Sequence, residues 1–163
     1  PGNDFSEVEA VGYHVGLETW KLLAAAGGQG PQAGEAGAAH AVRSVHVMTT
    51  TLNFPGKKGW KDRFPETSEP TGSDVPVRIT GLKLDELVFC GISGELMTEM
   101  GMAIKAASPY TSTIIVTHCN GASGYICTDK AFSEGGYEPK VSHLMPGAEK
   151  PLVAKCLELI RRF

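Results

Sequence analysis

The 163-residue sequence contains no uninterrupted apolar run near the ~20 residues that a membrane helix needs. Its nearest approach, Thr113-Ile114-Ile115-Val116-Thr117, has the length of a strand. Neither sign of charge dominates. Fifteen Lys and Arg stand against 18 Asp and Glu, a net charge of −3, which excludes an electrostatic footprint for nucleic acid. None of the four cysteines (Cys90, Cys119, Cys127, Cys156) forms a Cys-x-x-Cys pair, so a zinc finger is excluded and the thiols read as buried or as one or two disulfides. The histidines (His14, His40, His46, His118, His143) are scattered, and no His-x-His or His-x-x-x-His pair lets this chain alone build an ordinary His-rich zinc site. Gly91-x-x-Gly94 lacks the third glycine and the basic residue of a phosphate-binding fingerprint. No internal repeat is present. No signal-peptide pattern and no Met precede Pro1, which leads us to expect a processed product or one piece of a longer protein.

What is there suits one domain with a real core: 42% hydrophobic, 20% charged, and 20 glycines for tight turns. Ser6-Glu7-Val8-Glu9 has the form of a capping box, and Val11, Val15, Thr19 and Leu22 then recur at helical spacing, which predicts a helix over 7–25. Residues 27–39 and 54–74 read as flexible loops; the second carries Phe54, Trp60 and Phe64 and is a candidate wall or lid for an acyl chain, or an ordinary solvated loop. Strands are expected over 41–52, 75–79, 87–90 and 111–118, with helices over 95–107, 128–134 and 147–163. Strands alternate with helices from residue 82, so the expected class is α/β, a mixed sheet with flanking helices.

The stretch most able to carry chemistry is 88–138. Glu95 follows a buried strand and a Gly-x-Ser-Gly turn and is expected to open a helix. There it is either a carboxylate stabilised by the helix dipole or a metal ligand at the end of a strand. Ser93 invites comparison with a nucleophile elbow, but Glu95 stands where the last glycine of G-x-S-x-G belongs. His118, Cys119 and Asn120 end the next strand; alternation turns His118 and Cys119 to opposite faces, and Asn120-Gly121 is first of all a turn. Tyr125 and Tyr137 each follow a glycine in the segment after that strand, from which they can converge with Glu95.

These residues carry a resemblance. Ser93-Gly94-Glu95, then Asn120, then Gly124-Tyr125-Ile126-Cys127-Thr128, then Tyr137-Glu138, resembles in order and spacing the neutral (alkaline, non-lysosomal) ceramidase superfamily, above all its shorter bacterial members. The resemblance implies that the chain is the C-terminal part of a larger ceramidase-like catalytic domain. It implies a zinc ion held by two histidines, a glutamate matching Glu95 and a tyrosine matching Tyr125, with Tyr137 touching the scissile amide. Ser93, Gly94, His118 and Asn120 are the implied pocket residues. Ser93 stands where the family has proline, and His118 where an apolar residue is usual. The two histidine ligands match nothing here, so the resemblance assigns them to an N-terminal portion of the same protein or to a second chain. The implied activity is zinc-dependent hydrolysis of an N-acyl bond in a small molecule or lipid, in a secreted or extracytoplasmic setting. The alternative is a non-catalytic ceramidase-like binding module or an inactive fragment.

Overall fold

The computed structural model describes residues 5–25, 44–59 and 69–163. Two compact units divide the chain, 1–41 and 42–163. The first contains helix α1 (Phe5–Ala25), which leaves Val11, Tyr13, Val15 and Trp20 exposed. Because α1 begins at Phe5, Ser6 lies within the helix and is not the cap that its pattern with Glu9 suggests. The expected loop 27–39 lies outside the described residues, as do Trp60 and Phe64.

The second unit is built on a four-stranded sheet of order β1-β2-β3-β5. Its strands are β1 (Val45–Lys57), β2 (Pro70–Leu84), β3 (Leu87–Ile92) and β5 (Ser112–Val116). β1, β2 and β3 run antiparallel in sequence; β3 and β5 are parallel, joined through helix α2 (Thr98–Ala107). The sheet is mixed and helices flank it, as the residue pattern predicts. The expected loop 54–74 is corrected at both ends: Phe54 pairs with Val75, Pro55 with Asp74 and Lys57 with Pro70, across a register shift after Pro55. The prolines and charges of this stretch hid a hairpin, because edge strand β1 tolerates proline where an interior strand would not. Phe54 is therefore a core residue, not a lid residue.

Period-two alternation decides what each face does. The inner face presents Val75, Val77 and Ile79 of β2 and Val88, Cys90 and Ile92 of β3, all at most 1% exposed. Met100 and Ile104 of α2 and Leu152, Cys156, Leu159 and Ile160 of the terminal helix α5 (Glu149–Ile160) cover it. Each such side chain contributes roughly 1.5–3 kcal/mol by leaving water. Gly81, in mid-β2, is where Phe163 seats: a Cβ there would stand 2.9 Å from its ring. All four cysteines are free thiols, and Cys90 of β3 and Cys156 of α5 are both buried in the core. The outer face carries Val45 and Val47 of β1, Leu82 of β2, Phe89 of β3 and Ile114 and Val116 of β5. Its two edge strands hold the exposed members.

A second, two-stranded ladder pairs β4 (Glu95–Leu96) in parallel with β6 (Tyr125–Ile126). Short helices α3 (Asp129–Glu134) and α4 (Tyr137–Val141) follow it. Thr128 caps α3 by accepting from the Ala131 amide at 3.1 Å. No helix among the described residues is long and apolar enough to cross a membrane.

Candidate functional site

Because β3 and β5 are parallel neighbours, their C-terminal ends reach the same edge of the sheet, where α/β folds place ligand sites. The segments that leave those ends are laced together by backbone hydrogen bonds. Cys119 N donates to Ile92 O at 2.8 Å, His118 N to Gly94 O at 3.1 Å, Ser123 N to Ser93 O at 2.7 Å and Glu95 N to Gly124 O at 2.9 Å. This lacing draws residues 95 and 125 out of their expected settings and makes them Cα partners across β4 and β6. Glu95 is thus not in the first turn of a helix. α2 starts at Thr98 and the acidic residue of its first turn is Glu99, so the helix-dipole explanation of Glu95 is removed.

Glu95, Tyr125, Tyr137 and His118 come together. Glu95 Oε2 lies 3.2 Å from His118 Nε2, both side chains being about half exposed (49% and 53%). The Glu95 carboxylate is the charge that acts most strongly on the Tyr125 phenol, and the Tyr125 and Tyr137 rings meet edge to face with centroids 6.0 Å apart. Tyr125 is held from behind: Ser142 Oγ donates to its carbonyl at 2.8 Å, and Gly124 before it has φ 74°. Tyr137 opens α4 after Gly135 and Gly136, whose φ values of 80° and 114° only glycine adopts freely.

His118 itself has φ 52°, since β5 ends at Val116 and the chain turns. Strand alternation therefore does not govern His118 and Cys119, as the sequence led us to expect. They diverge all the same: the imidazole goes to Glu95, while Cys119 Sγ packs so closely on Gly91 that a Cβ there would lie 2.4 Å from it.

Glu95 and Tyr125 line one cleft of about 420 Å³, together with Glu99, Lys130, Glu134 and Glu138. Lys130, the one cation among the described lining residues, pairs with Glu134 at 3.4 Å. The surplus of negative charge reaches Tyr125: the Glu95 carboxylate first, then burial, Tyr137 and Glu138, push its phenol above the usual tyrosine value. Glu138 is a cleft residue to which sequence reasoning gave no role, although it directly follows Tyr137 in the quoted motif. Lys130 and Glu134 carried no sequence signal beyond their helical spacing.

Ser93 and Asn120 are elsewhere. They line a smaller cavity of about 200 Å³ with Thr51, Arg78 and Ser123. Ser93 is 2% exposed, accepts from the Arg78 amide at 2.8 Å and hydrogen-bonds Ser123 Oγ at 2.7 Å. Ser123 Oγ in turn donates to Pro76 O at 2.8 Å. This closed network makes Ser93 a tie between β2 and the turn, not a nucleophile. Asn120, with φ 59°, donates from Nδ2 to Thr80 Oγ1 at 3.2 Å and accepts from Arg78 Nη1 at 3.3 Å. Gly94 is buried between the two groups.

A carboxylate oxygen and an imidazole nitrogen are ordinary donors for zinc and a phenol oxygen an unusual one; Glu95 and Tyr125 line the cleft of negative charge, and His118 meets Glu95. Among the described residues no three of His, Cys, Asp and Glu gather as a metal-holding group. Any cation held here would have to draw on the Tyr125 phenol beside the Glu95 carboxylate.

No protein-family model matches the chain. No curated protein matches it either. Solved structures do. The crystal structure of neutral ceramidase from Pseudomonas aeruginosa is similar with a TM-score of 0.52 and 12% identity, over 74% of this chain and 29% of that one. A ceramidase complexed with C2 aligns with a TM-score of 0.46 and 19% identity, over 54% of this chain and 15% of that one. The chain thus spans less than a third of the length of the ceramidases it matches, and its fold is similar to one part of neutral ceramidase.

Proposed function

We propose that this chain is the part of a zinc-dependent, ceramidase-like amidohydrolase that brings Glu95 and Tyr125 to the metal and Tyr137 to the substrate. The observation that carries the reading is the pairing of Glu95 with Tyr125 across two neighbouring strands, with Tyr137 edge-on to Tyr125 at 6.0 Å. The resemblance names these same three residues. When bound, zinc supplies Lewis-acid polarisation of an acyl carbonyl and lowers the pKa of water to about 7. Glu95 and Tyr125 bind that cation. The Tyr137 hydroxyl, 58% exposed as a residue, hydrogen-bonds the developing oxyanion of an N-acyl group. The substrate class is an N-acylated small molecule or lipid, by analogy with the ceramidases whose fold it shares.

The two remaining ligands are histidines of an N-terminal portion of the same protein, which packs as a second layer against the open outer face of the sheet. Val45 and Val47 on that face are more than 60% exposed, and a sheet with one apolar face uncovered is what such a layer would close.

Native mass spectrometry of the purified protein, followed by assay on a fluorescent N-acyl lipid, tests the reading. We expect one zinc and a second polypeptide segment, and loss of zinc in Glu95→Ala and Tyr125→Phe. Tyr137→Phe should keep zinc and lose about 100-fold in rate, the usual effect of deleting one oxyanion donor. Wild-type zinc affinity in both ligand variants would sink the assignment. Zinc retained without hydrolysis would favour the binding-module alternative.

A further inference from the structure

We propose that the cleft walled by Lys57 is a binding site for a carboxylate with an apolar tail, the Lys57 ammonium holding the anion and Phe132, Pro139 and Met145 holding the tail. The site adjoins the Glu95–Tyr125 cleft, with which it shares Gly135 and Pro139. The inference does not rest on the zinc reading.

The first argument is a buried charge without a counter-charge. Lys57 ends β1, just past the register shift after Pro55, and is 2% exposed. Lysine is almost never buried so completely unless it is paired. Its Nζ donates to Pro139 O and, at 3.4 Å, to Lys140 O, and stands 5.4 Å from the centroid of the Phe132 ring. An ammonium has three protons to donate, and these carbonyls take two. Among the described residues no carboxylate forms an ion pair with it. The ionisable groups that feel its charge supply no anion. Burial pushes the Cys127 thiol up to about 11, so it is neutral, and burial first, with Lys57 second, holds His143 below its usual value. The same burial lowers the pKa of Lys57 itself. An anion brought to Nζ supplies the charge that the protein does not.

The second argument is the wall around that charge. The cleft holds about 500 Å³, a volume ordinary for small-molecule sites. Every group that Nζ touches (Pro139, Lys140 and Phe132) lines it, so the ammonium stands at its wall. Met145 and Pro146 continue an apolar lining, and the exposed Gly135 and Gly136 leave one side open to solvent. The main chain fixes the floor. Lys57 N donates to His143 O at 2.8 Å and Met145 N to Pro55 O at 2.9 Å, so the end of β1 holds Lys57 and Met145 in one frame.

The third is the contrast with the neighbouring cleft. That one carries Glu95, Glu99, Glu134 and Glu138 against Lys130, whereas this one has Lys57 and Lys140 and no acidic residue among its described lining. Lys140 is exposed and forms no ion pair among the described residues, so it adds positive charge where a ligand enters. The apolar lining asks for a tail, which inorganic phosphate lacks, and a carboxylate brings the one negative charge that Lys57 is missing. Hydrolysis of an N-acyl lipid releases an acid of this class, which gives the site a ligand under the proposed function without depending on it.

The test is NMR titration of the 163-residue chain with sodium octanoate at neutral pH, followed at the Lys57 side chain and the methionine methyls. We expect one saturable site, with shifts at Lys57 and at the Met145 methyl and none at Met102, which is exposed on α2. Octanol has the tail without the charge and acetate the charge without the tail, and each should bind about tenfold more weakly or less. Lys57→Met keeps the bulk of the side chain and should weaken octanoate about tenfold while leaving octanol unchanged. Octanol bound as tightly as octanoate would reduce the site to an apolar cleft. Inorganic phosphate displacing octanoate at equal concentration would make it a general anion site. Either result overturns the proposal, as do octanoate bound equally well by Lys57→Met, saturation that shifts Met102 and spares Met145, and no effect up to about 10 mM. The wild-type titrations decide the matter even if Lys57→Met does not fold. None of them involves zinc, so failure here and failure of the Glu95–Tyr125 reading are scored separately.

Discussion

A methyl group placed on Gly94 would stand 2.6 Å from the carbonyl oxygen of Gly124 and 2.7 Å from Ile126 Cδ1. That carbonyl is the one that accepts the Glu95 amide at 2.9 Å, so glycine at 94 is what lets β4 approach β6 closely enough to pair Glu95 with Tyr125. The obstacle is backbone on one side and a buried core residue on the other, and neither can swing away. Gly94→Ala should therefore cost about 1–3 kcal/mol, the usual penalty for overpacking, and should weaken zinc binding as well. Gly101 offers the contrast. It lies inside α2, and its nearest neighbour to an added Cβ is Ile115 at 3.8 Å. Gly101→Ala should stabilise by about 0.4–1 kcal/mol through helix propensity and a less free unfolded chain. Urea denaturation of the two variants checks both signs.

Ser93 supplies a second prediction. Its hydroxyl accepts from the Arg78 amide and hydrogen-bonds Ser123 Oγ, all in a buried setting. Ser93→Ala leaves that amide without its acceptor and should cost about 1–3 kcal/mol. A serine-directed fluorophosphonate should leave Ser93 unlabelled. Stoichiometric labelling of Ser93 would reinstate it as a nucleophile.

The parts of this fold that could be read in advance are those where burial imposes a period. Val88 and Cys90 of β3 and the Leu152–Cys156–Ile160 stripe of α5 declare their elements without help. The hairpin ends at 54–57 and 70–74 could not be read, because Pro55 and Gly56 of β1 and Pro70 of β2 are turn signals locally and strand residues only once the two strands pair. Glu95 was legible as a site residue from its motif and illegible in its setting. Its two-residue strand exists only through pairing with Tyr125, 30 positions away, and no local pattern encodes that partner. The convergence of His118 on Glu95 was hidden for the same reason: it depends on a left-handed turn fixed by Gly94 O, not on strand alternation. α4 escaped notice because five residues with one proline carry no helical period.

His143 gives a pH dependence. Burial first, and the charge of Lys57 second, hold its pKa below the usual 6.5. A depressed histidine pKa means that the unfolded chain binds the proton more readily than the folded one. Above pH 6.5 both states are neutral and His143 contributes nothing. As pH falls from 6.5 through the folded-state value, stability is lost, and below that value the penalty is complete. The ring also packs on Gly124, behind Tyr125, where an added Cβ would lie 3.0 Å from Nδ1. Denaturation midpoints measured from pH 8 to pH 5 should therefore decline more steeply in wild type than in His143→Gln. The main-chain link from Lys57 N to His143 O at 2.8 Å survives that change, so the sheet contact is preserved. Parallel profiles would remove His143 from the acid response.

The phenol of Tyr125 reports on the whole candidate site. It lies among negative groups, and the Glu95 carboxylate is the largest influence that raises its pKa above 10.0. An ionised tyrosine beside an ionised glutamate is relieved either by a proton on the phenol or by a bound cation. Glu95→Gln removes the charge and should bring the Tyr125 pKa back toward 10.0, read from the ring carbon shifts of a ¹³C-tyrosine-labelled chain, where Tyr110, outside the site, serves as an internal reference. Glu138→Gln should lower it by less, because Glu138 acts after Glu95, burial and Tyr137 in the order of causes. Zinc should move the same resonance further, below its unperturbed value, since a coordinated cation favours the phenolate. A Tyr125 pKa indifferent to Glu95→Gln would mean that the two side chains do not share a field, and the carboxylate–phenol pair would have no claim to be one binding site.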